Sequence, residues 1–293
     1  MVIAAGGLFL AYYEWRRLGA DCRYGLRMAR IVVRENASDL LDTAVDPSLW
    51  TALIPAAGRG SRLAFDKPKI LFPVGGATIL ERLAELLKPL CSEFVFVLSP
   101  DGAPIVEPEL GAVLPGRCQV AIQKIPRGMG DAVACGLPAV RTENVLIVWG
   151  DQLALKSSSL EFSMRLLQGK ARPDAVCPTV IRQKPYIHFE RGAGGAVTGI
   201  LQQREGDALP SEGESDSGVF LFRTARLRQY LNLLEHEKAA IGAQTGEWNF
   251  LPIFPLVDRE PNRLITARIM TEAESVGVNT VADAEYLQSS GGL

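Results

Sequence analysis

Leu53-Ile-Pro-Ala-Ala-Gly-Arg-Gly-Ser-Arg-Leu63, followed by Lys67-Pro-Lys69, decides how the rest of the chain is read. An apolar strand runs directly into a glycine-rich turn, and two arginines and two lysines fall between Arg59 and Lys69. Backbone N–H groups and cations gathered at a strand end make a phosphate cradle, which points to a nucleoside triphosphate. Gly58-Arg-Gly-Ser-Arg62 is not a dinucleotide fingerprint, because Leu63 stands where the third glycine belongs, and no GxxxxGKS/T is present. Gly58 and Gly60 let backbone amides approach phosphate oxygens. Arg62 adds planar charge-assisted hydrogen bonds and Lys69 a point charge. The bland alternative is a tight strand–helix turn with solvated cations; the attached Lys67-Pro68-Lys69 favours a site.

Outward from this turn, strands and helices alternate. Residues 51–55 read as a short buried strand, and Ile79, Leu80, Leu83, Leu86 and Leu87 mark one apolar helix face. Residues 93–98 and 119–125 read as strands, 131–140 as a helix and 145–149 as a central strand. That order predicts an α/β fold with a largely parallel sheet and helices on both faces. Ligands of such sheets lie at the carboxyl ends of the strands, where the cradle and Gly150-Asp151 both fall. The second half is richer in strands, with candidates at 175–179, 197–202 and 219–222 and a polar loop over 204–217. Gly192-Ala-Gly-Gly195 reads as a hairpin turn, residues 227–237 as a helix, and Thr280-Val-Ala-Asp283 as a capping box. There is no internal repeat, and without hexapeptide repeats no left-handed β-helix follows.

Composition narrows the function classes. The chain of 293 residues is 47% hydrophobic and 22% charged, ordinary for a soluble globular protein, and its net charge of -2 gives no basic field for nucleic acid. Cys22, Cys91, Cys118, Cys135 and Cys177 are scattered without a CxxC pair. They suggest neither zinc nor a disulfide framework, but small buried side chains in a reducing cytoplasm. Residues 1–13 are mostly apolar, too few to span a bilayer, and Arg16 and Arg17 follow. An interfacial segment is one reading; a core or partner-facing helix, or an extension from an upstream start codon, is preferred. Residues 1–49 hold six arginines and no lysine. Ser38 or Asp39 is placed to cap a short helix there, and Asp46-Pro47-Ser48 reads as a turn. This separates an N-terminal extension, 1–49, from a main domain, 50–293.

Three further stretches carry polar chemistry. Gln123-Lys-Ile-Pro-Arg-Gly128-Met-Gly-Asp-Ala-Val133 offers an amide with both donor and acceptor, followed by a glycine. Gly150-Asp151-Gln152 places a carboxylate at a strand end, suited to a hard cation such as Mg²⁺. Gly277-Val-Asn-Thr-Val-Ala-Asp-Ala-Glu285 puts Asn279 just ahead of the capping box. Read singly, these are a strand–turn–helix connection, a capping carboxylate and a turn residue.

Taken in order with the opening stretch, they resemble the sugar-1-phosphate nucleotidyltransferases, closest to the uridylyltransferase branch that makes UDP-N-acetylglucosamine, over roughly residues 50–290. The resemblance implies a Rossmann-like, GT-A-like mixed and mainly parallel sheet with a strand-rich acceptor-binding half. It implies nucleotide contacts at Ala56, Ala57, Gly58, Gly60, Gln123, Gly128 and Gly150, with Gln123 and Gly128 reading the pyrimidine edge. Arg62 would bind the β- and γ-phosphates, Lys69 would bridge the α-phosphate and the incoming phosphate, and Asp151 with Asn279 would hold Mg²⁺. Asp151-Gln-Leu153 departs from the Asp-x-Asp of glycosyltransferases, which favours nucleotidyl transfer.

The acceptor side departs further from the family. Gln202 stands where the N-acetylglucosamine branch has Glu, Asp216 where it has Asn, Ile187 where it has Gly, and Pro252 where it has Asp; Met129 replaces a frequent Thr. Gln202, Asp216 and Glu247, the last within Gly246-Glu247-Trp248, are the acceptor candidates. The expected partners are a nucleoside triphosphate, foremost UTP or another pyrimidine triphosphate, and a sugar 1-phosphate. The rivals are a cytidylyl- or guanylyltransferase acting on a non-sugar phosphate, and a non-catalytic nucleotide- or sugar-binding regulatory module. His188 and His236 share no motif, and no Ser-His-Asp or Cys-His ordering is present.

Overall fold

The computed structural model describes residues 30–33, 44–58 and 60–289. The proposed helix cap at Ser38 or Asp39, the apolar segment 1–13, Cys22 and Arg59 lie outside them. Among the described residues nine strands form one mixed sheet. These are β1 (Arg30–Val33), β2 (Trp50–Pro55), β5 (Glu93–Leu98), β6 (Cys118–Ile122), β7 (Asn144–Val148), β8 (Ala175–Gln183), β11 (Glu212–Asp216), β12 (Val219–Arg223) and β13 (Leu264–Arg268). Two short ribbons, β3 (Pro73–Val74) with β4 (Ala77–Thr78) and β9 (Ile187–Arg191) with β10 (Val197–Gln202), complete the set.

Along the sheet the order is β1-β13-β8-β12-β7-β2-β5-β6, with β11 also on β8. Strands β7, β2, β5 and β6 run parallel, as do β1, β13 and β8, and β12 runs antiparallel between the two groups. The expected mixed, mainly parallel sheet is the one found. Residues 30–33, within the segment set apart by composition, form an edge strand in register from Arg30↔Ile265 to Val33↔Arg268.

Side-chain alternation explains why both faces are covered. In β2, Ala52 and Ile54 join one core while Leu53 joins the other; in β5, Phe94 and Phe96 oppose Val95 and Val97 in the same way. Helices Ile79–Leu87, Ala103–Val113, Ser157–Gln168 and Val281–Ser289 bury residues in the first core. Helices Met129–Gly136, Thr224–Leu234 and Ile253–Val257 cover the second, where Phe220, Phe222, Phe250 and Phe254 make edge, tilted and stacked ring contacts. Among the described residues no helix is long and apolar enough to cross a membrane.

Element boundaries moved for identifiable reasons. Strand β6 ends at Ile122 instead of continuing to residue 125: the ladder closes with Gln123 N–H on Leu98 O at 2.9 Å, and the chain bends away at Lys124 and Ile125. The following helix begins at Met129 and gives way to a 3-10 turn, Leu137–Ala139, where Pro138 supplies no N–H for another α-helical bond. The helix expected over 227–237 runs Thr224–Leu234. The polar loop expected over 204–217 contains strand β11, which pairs with a longer β8 from Glu212↔Gln183 to Asp216↔Thr179. Its sequence, Glu-Gly-Glu-Ser-Asp, conceals a strand because its buried Glu214 is held by Arg191 and Arg268. The turn at 192–195 does join an antiparallel pair.

Candidate active site

The candidate phosphate end is assembled from backbone at adjoining strand ends. After β2, Ala56 N–H bonds Val97 O at 2.8 Å, and Gly150 N–H, beyond β7, bonds Pro55 O at 3.2 Å. A Cβ on Gly150 would lie 2.8 Å from Pro55 O, so glycine permits this approach. Ala57 and Gly58 continue the turn, and a Cβ on Gly58 would meet nothing within 4 Å. Gly60 is left-handed, φ +63°, and a Cβ there would lie 2.8 Å from Lys69 Cβ. The cradle therefore packs directly on the Lys67-Pro68-Lys69 segment.

Lys69 opens a 3-10 turn whose Ile70 and Leu71 are buried, which pins its backbone. Its Nζ donates to Asp151 Oδ2 at 2.7 Å and to Asn279 Oδ1 at 2.8 Å, and Arg62 Nη2 reaches Asn279 Oδ1 at 3.4 Å. Arg62, Lys69, Asp151 and Asn279 thus meet at one place, although Lys69 and Asn279 are 210 residues apart. Two backbone devices achieve this. Val278 N–H bonds Asp151 O at 2.9 Å beside a Gln152↔Gly277 bridge, so the two loops lie flush. Asp283 Oδ2 accepts from the N–H groups of Asn279 at 2.9 Å and Thr280 at 2.7 Å, and Asp283 N–H donates in return to Thr280 Oγ1. The capping box read from Thr280 and Asp283 therefore also fixes Asn279.

The Asp151 carboxylate and the Asn279 amide oxygen already share one cation, the Lys69 ammonium. Hard oxygen donors converging on a point fit Mg²⁺, which commonly takes one or two carboxylates and completes its shell with water and substrate phosphates. Among the described residues no cluster of three or more His, Cys, Asp or Glu side chains offers a closed metal cage. The fit is to a metal carried with phosphate.

At the second end, Gln123 is buried, and its Nε2 donates to Asp131 Oδ2 at 2.9 Å and to Gly128 O at 3.1 Å. Gly128 has φ +113°, and a Cβ there would lie 2.5 Å from Trp248 O. Its lack of a side chain is required by the Trp248 backbone, which also accepts from Gly130 N–H at 2.8 Å and donates to Arg127 O at 2.6 Å. Asp131 and Arg127 were not singled out from the sequence; their four-residue spacing on a helix start was the available signal.

The acceptor candidates are not gathered as tightly. Asp216 is buried, bonded by Gly218 N–H at 2.9 Å, and burial pushes its carboxyl above the ordinary range, with the charge of Asp151 adding to the effect. The Tyr186 phenol is pushed up mainly by the charge of Asp216, and Arg182 lies over its ring at 5.8 Å. Asp151, Asp216 and Tyr186 therefore share one electrostatic neighbourhood. Gln202 is buried opposite Ile187 across the β9–β10 pair, with its N–H on Asp207 Oδ2 at 2.7 Å. Glu247 is ion-paired with Arg204 and stands against the Gly128 turn, at the other end from Lys69. The four described cysteines are free, and burial raises the thiols, Cys118 to about 12. None is a ready nucleophile.

Comparisons with known proteins bear on the family and the fold. A family model for the MobA-like NTP transferase domain matches residues 52–240. The bifunctional protein GlmU of Burkholderia multivorans is 30% identical over 242 residues, covering 80% of this chain and 51% of that protein. Its counterpart in Carboxydothermus hydrogenoformans is 28% identical over 229 residues, 78% of this chain and 49% of that protein. The chain spans about half the length of the curated relatives it matches. Among solved structures, a putative glucose-1-phosphate thymidylyltransferase from Bacillus anthracis, in complex with a sucrose, aligns with TM-score 0.65 at 15% identity, over 82% of this chain and 94% of that one. The 4-diphosphocytidyl-2C-methyl-D-erythritol synthase of Anaerococcus prevotii aligns with TM-score 0.58 at 15% identity, over 84% and 99%. The structural likenesses establish a shared fold, and the family match, which takes in the cradle, the Gln123 segment and Asp151, settles membership: the chain belongs to the MobA-like NTP transferase domain family.

Proposed function

We propose that this protein is a Mg²⁺-dependent nucleotidyltransferase that joins a nucleoside triphosphate, foremost UTP or another pyrimidine triphosphate, to a sugar 1-phosphate. The products are an NDP-sugar and pyrophosphate. The observation that carries the reading is the meeting of Lys69 Nζ with Asp151 and Asn279, with Arg62 beside them, at the carboxyl ends of parallel strands.

An oxygen of the acceptor phosphate attacks the α-phosphorus, the bond to the β-phosphate oxygen breaks, and pyrophosphate leaves with the electron pair. The nucleophile is already an anion near neutral pH, so no general base is needed, and catalysis rests on alignment and charge neutralisation. Asp151 and Asn279 would hold Mg²⁺, which when bound supplies charge neutralisation at the phosphates. Lys69, pinned through Ile70 and Leu71, places its ammonium where the α-phosphate and the incoming phosphate meet. Arg62, at the exposed rim, takes the β- and γ-phosphates. Gln123 and the Gly128 turn take the base.

A second reading keeps the chemistry and changes the substrates to a cytidylyl or guanylyl donor and a non-sugar phosphate. The buried Asp216 carboxyl and Ile187 favour its non-sugar acceptor, because both lie on the acceptor side. Pyrophosphate release with each triphosphate against a panel of sugar 1-phosphates and other phosphorylated alcohols tests both. Release that needs one triphosphate and one sugar 1-phosphate is the expected result. Tight triphosphate binding with no release across the panel counts against both, and favours a regulatory module.

A further inference from the structure

We propose that Asp131 is a positioning residue that fixes which end of the Gln123 amide meets the base, so that the site selects uracil or thymine over cytosine. The inference rests on the nucleotide reading above and adds to it a selectivity device and the base class.

The two ends of a glutamine amide have nearly the same shape, and chemistry decides which is which. One end of Gln123 faces Asp131 Oδ2 at 2.9 Å and the Gly128 carbonyl at 3.1 Å. A carboxylate oxygen and a backbone carbonyl accept hydrogen bonds and donate none. An amide oxygen placed there would face two oxygens, so that end is the NH₂ group and Oε1 is the end left for a ligand. Asp131 is itself held. Its Oδ1 accepts from Arg127 Nε at 3.1 Å and Nη2 at 2.7 Å, and its side chain is only 5% exposed. The order of control runs from Arg127 to the Asp131 carboxylate to the Gln123 amide. A fixed acceptor suits the ring position 3 of uracil and thymine, which carries N–H. In cytosine that position is a lone pair, and acceptor would face acceptor.

An asparagine at 131 keeps the shape and breaks the device. With its oxygen turned to Arg127, its own NH₂ faces Gln123 and favours the reversed amide, while the Gly128 carbonyl still favours the original one. Both orientations become populated and discrimination falls. A role limited to packing would instead weaken both nucleotides alike.

The test is calorimetric binding of UTP and of CTP at equal Mg²⁺, without acceptor so that nothing turns over, to the wild-type chain and to Asp131→Asn. The wild-type protein is expected to bind UTP about tenfold or more tightly than CTP, and folded Asp131→Asn to lose most of that ratio. Wild-type binding of CTP as tight as UTP overturns the inference, and so does a folded Asp131→Asn with the ratio intact or with both affinities lowered equally. Where that variant does not fold, Arg127→Ala, at a side chain 70% exposed, loosens the carboxylate from outside and is expected to lower the same ratio; an unchanged ratio overturns the inference. If the wild type binds neither triphosphate, the nucleotide reading itself fails, an outcome distinct from tight binding of both without discrimination.

Discussion

Gly60→Ala tests whether the glycine-rich turn and Lys69 are one packed unit. Gly60 sits at φ +63°, where an alanine costs about 1–2 kcal/mol. The new Cβ would lie 2.8 Å from Lys69 Cβ and 3.3 Å from Lys69 Cα. Lys69 cannot easily retreat, because the next two residues are buried and Phe72 N–H closes the turn onto Lys69 O at 2.9 Å. Relieving such an overlap in a packed site costs about 1–3 kcal/mol more. The expected loss is about 2–5 kcal/mol in urea unfolding. The same displacement moves Nζ away from Asp151 and Asn279, and a shift of about 1 Å at a reacting centre lowers turnover about a hundredfold. Gly58→Ala is the internal control. Nothing lies within 4 Å of its Cβ position and its φ is not left-handed, so stability is expected to hold within about 0.5 kcal/mol. Equal urea midpoints for the two variants, or full turnover in Gly60→Ala, would refute the reasoning.

Asp151→Asn is expected to lower turnover by about a thousandfold or more while circular dichroism and urea midpoint stay near wild type; near-normal turnover in the folded variant removes its assigned metal role. Burial raises the Asp216 carboxyl in the folded state, so the folded protein holds that proton more tightly than the unfolded chain, and stability falls as pH rises through this window. Asp216→Asn should therefore be more stable than wild type in neutral buffer and not in strong acid, by urea unfolding at both. Glu205 shows the opposite sign. Burial acts to raise its carboxyl, but bonds from Thr245, Asn249 and the N–H groups of Gln244 and Thr245 outweigh it and hold it at about 2. Its contribution is full above about 4.5 and is lost as pH falls toward 2, and Glu205→Gln should flatten the wild-type loss over that range.

What could be read from the sequence follows from how local each signal is. The strands Glu93–Leu98 and Val197–Gln202 and the helix face through Ile79, Leu80, Leu83 and Leu87 are written in short-range periodicity, and both cores use them as expected. The phosphate-end residues lie in three separated stretches, and only the resemblance joined them; the structure brings them together through the Asp151–Val278 bond and the Asp283 cap. Strand β11 was missed because its buried charge is neutralised by arginines on β9 and β13, partners that no local pattern reveals. At Gly128 the Trp248 backbone fills the space that a side chain would need, a constraint that no local pattern shows. Asp131 went unread for a related reason: a carboxylate in the first turn of a helix is an ordinary sight, and its bond to Gln123 is a matter of folded geometry.

The most direct test of nucleotidyl transfer follows an oxygen atom. A sugar 1-phosphate labelled with ¹⁸O in its non-bridging phosphate positions is incubated with Mg²⁺, UTP and the protein, and the products are resolved by phosphorus NMR. Attack of that phosphate on the α-phosphorus places one labelled oxygen in the new P–O–P bridge of the NDP-sugar and leaves the pyrophosphate unlabelled; this is the expected result. Label in the pyrophosphate, or conversion of UTP to hydrolysis products with no NDP-sugar formed, would contradict the account.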